Sequence, residues 1–118
     1  MTLEKFDIVV VNLDPRKGHA QAGIRPAVIV QSNLFNRHAA TIIVVPLTSK
    51  EKKLFPSEFL ISPSHRNGLT APSRFLGSQL MTLDKTFVVK RLGQLEEKYY
   101  AQAREALRIS LDFENDFV

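Results

Sequence analysis

The chain of 118 residues has no cysteine and no tryptophan. Disulfide staples, cysteine redox chemistry and a thiolate zinc site are excluded, so the core must hold by packing alone. Long apolar runs are missing as well. The longest aliphatic stretches, 8–11 (IVVV) and 42–45 (IIVV), fall far short of the roughly 20 residues a membrane span needs. No membrane segment is expected. The opening MTLEKFD lacks the basic-then-apolar pattern of a secretory signal, and the expected compartment is the cytoplasm. Five glycines form neither GxGxxG nor GxxxxGK, and no GxSxG elbow occurs, so nucleotide-cofactor and serine-nucleophile fingerprints are absent. The three histidines, His19, His38 and His65, show no HxxH or HExxH spacing. Neither a metal nor a cofactor is expected.

What is present fits one domain over residues 1–118, long enough to bury roughly 65% of its unfolded surface. The net charge of +4 is unevenly spread: residues 1–14 carry −2, residues 15–91 carry +9 and residues 92–118 carry −3. A basic body beside an acidic tail suits a polyanion partner, since each Lys or Arg at a phosphate releases counterions. Solvated surface charge would give the same count.

Residues 6–13 (FDIVVVNL) are rich in β-branched side chains and end at Asp14-Pro15, which predicts a strand running into a turn. The loop DPRKGHAQAGIR follows, then a second strand over 26–31 (PAVIVQ). Ser32-Asn33 reads as a helix cap for the short stretch LFNRH. Residues 41–48 (TIIVVPLT) predict a third strand buried on both faces, with Pro46 arguing for a bulge or a strand end. A basic loop over 49–56, a strand over 57–62, a turn at Asn67-Gly68 and strands over 74–83 and 87–92 complete the β portion. Short strands without intervening long helices indicate an antiparallel sheet or small barrel. From Leu95 onward, Tyr100, Ala103, Leu107 and Leu111 recur at helical spacing, which predicts one amphipathic helix covering the sheet.

The polar residues that cluster in sequence are Arg16, Lys17, His19, Gln21 and Arg25 in the first loop, and Thr48 and Ser49 at the end of the third strand. Cutting RNA without a metal requires deprotonation of a 2′-hydroxyl, stabilisation of a charged phosphorane and protonation of the leaving 5′-oxygen. Arginine offers a permanent planar fork to phosphate oxygens, and a threonine hydroxyl can orient the same phosphate. Imidazole is the side chain that exchanges protons near neutrality. Each residue also has a plainer role open to it: a surface salt bridge for Arg25, strand formation for Thr48 and a solvated loop position for His19.

At these residues the sequence resembles the MazF/PemK (Kid-like) toxins of toxin–antitoxin systems. FDIVVVNLDPRKGHAQAGIRPAVIVQSNLFNR is similar to that family's N-terminal block, with its L-[DS]-P and Gly-x-Arg-Pro signatures. VVPLTS resembles its third-strand motif, SQLMTLDKTFVVKRLGQL the segment with a D/E-Q-x-R-T-[IL]-D core, and LEEKYYAQAREALRISLDF its C-terminal helix. The resemblance implies an α+β, mainly β fold: a small antiparallel SH3-like barrel of the CcdB/PemK type, with short helices and a C-terminal amphipathic helix. It further implies a homodimer and a sequence-selective, metal-independent endoribonuclease leaving 2′,3′-cyclic phosphate and 5′-hydroxyl ends. The implied partners are single-stranded RNA and an acidic MazE-like antitoxin.

Carried over by position, the resemblance makes Arg25 and Thr48 the catalytic pair, with Ser49, His19 and Asp7 in supporting roles. Arg16, Lys17, Gln21, Lys50, Lys52, Lys53 and Gln79 are then the expected RNA-binding residues. The chain departs from the pattern where Kid-like members carry an acid and, two residues earlier, an arginine, because Ser78 and Leu76 stand there, and Met81 replaces the arginine before Thr82. Serine and leucine cannot do acid–base work, so cleavage would run through Arg25, Thr48 and His19. Two other readings stay open: a same-fold toxin that binds a protein such as gyrase, as CcdB relatives do, and a member that binds RNA or antitoxin without cutting.

Overall fold

The computed structural model describes residues 2–13 and 23–115. Seven strands make an antiparallel sheet: β1 (Asp7–Asn12), β2 (Ile24–Ile29), β3 (Thr41–Thr48), β4 (Glu58–Ile61), β5 (Ser73–Leu76), β6 (Met81–Asp84) and β7 (Val88–Gln94). Their order is β4-β5-β3-β2-β1-β7, with β6 also paired to β3. The helices are α1 (Asn33–His38), capped by the Ser32 hydroxyl on the Leu34 N–H, and α2 (Tyr100–Leu111).

The unbroken aliphatic runs of β1 and β3 reflect burial on both faces of the sheet. On one face Ile8, Val28, Val45 and Leu47 join Phe59, Phe75, Tyr99, Ala103 and Ala106 in a core beneath α2. On the other, Val9, Val11, Ala27, Ile29, Ile42 and Val44 pack with Leu3, Leu13 and Leu83. Alternation along each strand sends neighbouring residues to opposite cores, and both cores exclude water.

Three expectations change. Pro46 neither bulges nor ends β3, which runs through to Thr48 with Ala27 opposite Pro46. The Val30 N–H donates to Ile43 O, so even-numbered residues of β3 turn their backbone groups to the other edge. The N–H that proline lacks therefore faces the junction where pairing with β6, ending at Val44, gives way to pairing with β5, beginning at Leu47. The strand expected over 74–83 is broken by a 3₁₀ turn at Gly77–Gln79, because β5 and β6 occupy successive lengths of that same edge. Gly77 permits the break, since a Cβ there would stand 2.5 Å from Ser57 O. On α2 the buried stripe is Ala103 and Ala106, while Leu111 is exposed. Small side chains let the helix backbone approach Gly77, whose carbonyl accepts from the Ser110 hydroxyl at 3.1 Å.

The sheet is not closed by strand pairing, and among the described residues the segment 62–69 lies across β7 instead. Gln94 N–H donates to Arg66 O at 2.8 Å, and Gly68 sits at φ +73° with room for no side chain against Leu92 O. Buried Asn67 organises this segment. It accepts from the N–H groups of Ser64 and Leu69 and donates to Ser62 O and the Glu96 carboxylate.

Candidate functional site

The first strand pair sets the position of Arg25. Read from sequence as the end of a loop, it lies inside β2, opposite Val11. The glycine and proline around it suggest irregular backbone, but pairing with β1 overrides that local signal. Two residues beyond the rung between Ala27 and Pro46, Arg25 and Thr48 stand at the same end of the sheet. The Arg25 Nη1 donates to Leu47 O at 3.3 Å, which holds the guanidinium beside Thr48. Burial pushes the Arg25 pKa below its ordinary value through desolvation. A guanidinium starts so far above neutrality that it stays cationic, and losing water strengthens its pull on an anion.

A cleft of about 720 Å³ opens at this end of the sheet. One wall is Ile24, Arg25, Pro26 and the stretch from Leu47 to Lys50, and the facing wall is the segment from Gly68 to Ala71 with Ser73. Val10, Val89, Lys90 and Leu92 complete the lining. Thus Arg25, Lys50 and Lys90 contribute three cations, and among the described residues no carboxylate and no histidine lines the cleft. Such a surface favours a polyanion. The hydroxyls present are those of Thr48, Ser49, Thr70 and Ser73. Thr48 Oγ1 accepts from the Lys50 N–H at 3.3 Å, while Ser73 Oγ donates to Ala71 O at 2.9 Å.

Of the residues singled out in the sequence, Arg25, Thr48, Ser49 and Lys50 come together here. Lys52 and Lys53 are exposed further along the β3–β4 loop and do not line the cleft. Gln79, in the 3₁₀ turn, does not line it either. Asp7 is fully buried at the start of β1, away from the cleft lining. Its carboxylate accepts from the Glu4 N–H at 2.9 Å and from Gln94 Nε2 at 3.3 Å, and pairs with Arg91 at 3.4 Å, a structural set of bonds. Leu76 is buried and Ser78 exposed, and neither faces the cleft. Arg16, Lys17, His19 and Gln21 lie outside the described residues. Lys90 and Thr70 are the residues sequence reasoning missed. Lys90 reaches the cleft because β7 pairs with β1, Val10 opposite Lys90, a pairing between elements some 80 positions apart that no local pattern encodes.

Among the described residues no helix is long and apolar enough to cross a membrane. Solved structures share the fold. MazF from Deinococcus radiodurans superposes with a TM-score of 0.81 at 24% identity, covering 96% of this chain and 99% of that one. A mycobacterial endoribonuclease in complex with its cognate antitoxin gives 0.77 at 23% identity, covering 96% and 98%. Sequence relatives are nearer. Endoribonuclease EndoA of Bacillus subtilis is 30% identical over 112 residues, 94% of this chain and 96% of that protein. Endoribonuclease MazF of Staphylococcus saprophyticus is 33% identical over 110 residues, 92% and 91% of the two chains. The family model for the PemK-like, MazF-like toxin of type II toxin–antitoxin systems matches residues 4–111. With that match spanning both strands that carry Arg25 and Thr48, the chain belongs to the PemK/MazF toxin family.

Proposed function

We propose that this protein is the toxin of a toxin–antitoxin pair and a metal-independent endoribonuclease acting on single-stranded RNA. The observation that carries the reading is the Arg25 guanidinium, tied to Leu47 O beside the Thr48 hydroxyl, in a cleft with three cations and no carboxylate among its described lining residues. The RNA 2′-oxygen gives up its proton and attacks the adjacent phosphorus, the bond to the 5′-oxygen breaks as that oxygen takes a proton from water, and the products end in a 2′,3′-cyclic phosphate and a 5′-hydroxyl. Arg25 stabilises the charge that builds on the phosphorane oxygens, where a preorganised, partly desolvated cation acts most strongly. Thr48 donates its hydroxyl proton to the same phosphate while its oxygen accepts from Lys50. Lys50 and Lys90 bind the flanking phosphates, and Ser49 adds a hydroxyl to the cleft lining beside Thr48.

The proton acceptor for the 2′-hydroxyl is His19. His38 sits on α1 and His65 in the 62–69 segment, both exposed and outside the cleft. The chain between Leu13 and Gly23, which holds His19, begins and ends at the Arg25 end of the β1–β2 pair, where Leu13 N–H donates to Gly23 O. Selective cutting requires unpaired bases, because only single strands expose their edges for reading. The partner is an antitoxin with an acidic segment that occupies the cationic cleft and excludes RNA. Two toxin chains form a homodimer.

Incubating the protein with a long single-stranded RNA in EDTA and mapping cut sites and 3′ ends tests this reading. Cuts at a recurring short motif with cyclic-phosphate ends are expected. Intact RNA at high protein concentration would overturn it in favour of a protein-binding or non-cleaving toxin.

A further inference from the structure

Arg74 and Glu58 form a buried ion pair at 2.9 Å, their side chains only 8% and 6% exposed. The pair lies outside the cleft lining, yet it holds both ends of the loop that supplies the Thr48 wall. Arg74 is opposite Thr48 in the β3–β5 register. Its Nε donates to Lys50 O at 2.9 Å, while Glu58 Oε1, on β4, accepts from the Phe55 N–H at 3.3 Å. Lys50 is therefore fixed from two sides: its carbonyl accepts from Arg74 and its N–H donates to Thr48 Oγ1.

A buried ion pair adds little stability over apolar residues of similar volume, since desolvation offsets the attraction. Placement is what the pair supplies here. With the Lys50 N–H held on its oxygen, the Thr48 hydroxyl has its own hydrogen left to donate in one direction, and the Lys50 side chain starts from a fixed backbone. We propose that Arg74, anchored by Glu58, is a positioning residue that sets the Thr48–Lys50 turn, and through it the orientation of the Thr48 hydroxyl at the substrate phosphate. The inference rests on the endoribonuclease reading for its consequence in catalysis, but not for the pinning of the turn itself.

Arg74→Met alone strands a buried carboxylate, so the variant to make is Arg74→Met with Glu58→Leu, which removes the pair and keeps an apolar volume in its place. Its melting temperature is expected to stay close to the parent's. The Lys50 amide is expected to exchange with solvent at least about tenfold faster, having lost the bond that holds its turn. RNA cleavage should fall about 10- to 100-fold in kcat with a smaller change in KM, the size expected from a misplaced catalytic group. In a Thr48→Val background the same pair of changes should cost little further rate, because the two act through one turn. An unchanged Lys50 exchange rate would overturn the proposal, and so would an equal loss of kcat in both backgrounds. If the parent protein cuts no RNA, the endoribonuclease reading falls, and Lys50 exchange alone still decides whether Arg74 sets the turn.

Discussion

The Arg25 Nη1 stands 3.3 Å from the carbonyl oxygen of Leu47, which ties a side chain of β2 to the backbone of β3 one residue before Thr48. A guanidinium carries its five N–H donors in a planar fork whose geometry matches phosphate. Both residues reach the cleft from strands in the middle of the sheet, where the cores on either face leave little room for movement.

Thr48→Val keeps the shape of the side chain and removes its hydroxyl. Cleavage is expected to fall about 10²-fold in kcat, the effect of deleting one donor to a developing oxyanion. Single-turnover kinetics on a short RNA measures it; a rate equal to the parent's would remove Thr48 from the chemistry.

Lys50→Gln and Lys90→Gln should weaken RNA binding and make it less salt-dependent. For a single strand, taking one cation away from a phosphate makes the slope of log K against log salt shallower by about 0.7. Titration of a labelled oligonucleotide at several salt concentrations gives the slopes. Lys52→Gln and Lys53→Gln, altering residues outside the cleft lining, serve as the comparison and should change the slope less.

A general base must be unprotonated to accept a proton, so with an imidazole in that role cleavage should rise with pH and then level off. His19→Ala should lose about 10²- to 10⁴-fold in rate and flatten that rise. A pH–rate profile of both proteins decides it, because an unchanged profile would assign the proton to another group.

Asn67→Ala tests the cleft's far wall. The substitution leaves the buried N–H of Leu69, the part-buried N–H of Ser64 and the carbonyl of Ser62 without their Asn67 partner. A cost of about 2–4 kcal/mol is expected from several unsatisfied groups. Denaturant unfolding reports it, and a change below about 0.5 kcal/mol, the ordinary range of a surface substitution, would contradict the organising role assigned to this side chain.

The sequence made much of the fold legible where local and global preferences agree. β3 runs from Thr41 to Thr48 as its β-branched pattern predicts, and Ser32 caps α1. Thr48 and Ser49 could be singled out because they stand at the end of that strand, and Lys50 because it belongs to the basic loop that follows. Arg25 could be found by type but not by setting, since only pairing with Val11 shows that it sits on a strand. Lys90 and Arg74 were out of reach, because one depends on β7 lying beside β1 and the other on β5 lying beside β3. Asp7 differs again: the resemblance implies a supporting role, and the structure seats it fully buried at the start of β1, outside the cleft lining and bonded to Glu4, Gln94 and Arg91.

The role proposed for Arg25 is to stabilise the transition state of RNA cleavage. The most direct test compares the parent with Arg25→Ala in EDTA, using one RNA for single-turnover cleavage and its analogue with a 2′-deoxy sugar at the cut site for binding. The variant is expected to stay folded, to bind the analogue only modestly more weakly and to lose at least about 10²-fold in cleavage rate. Equal cleavage by the two folded proteins would contradict it.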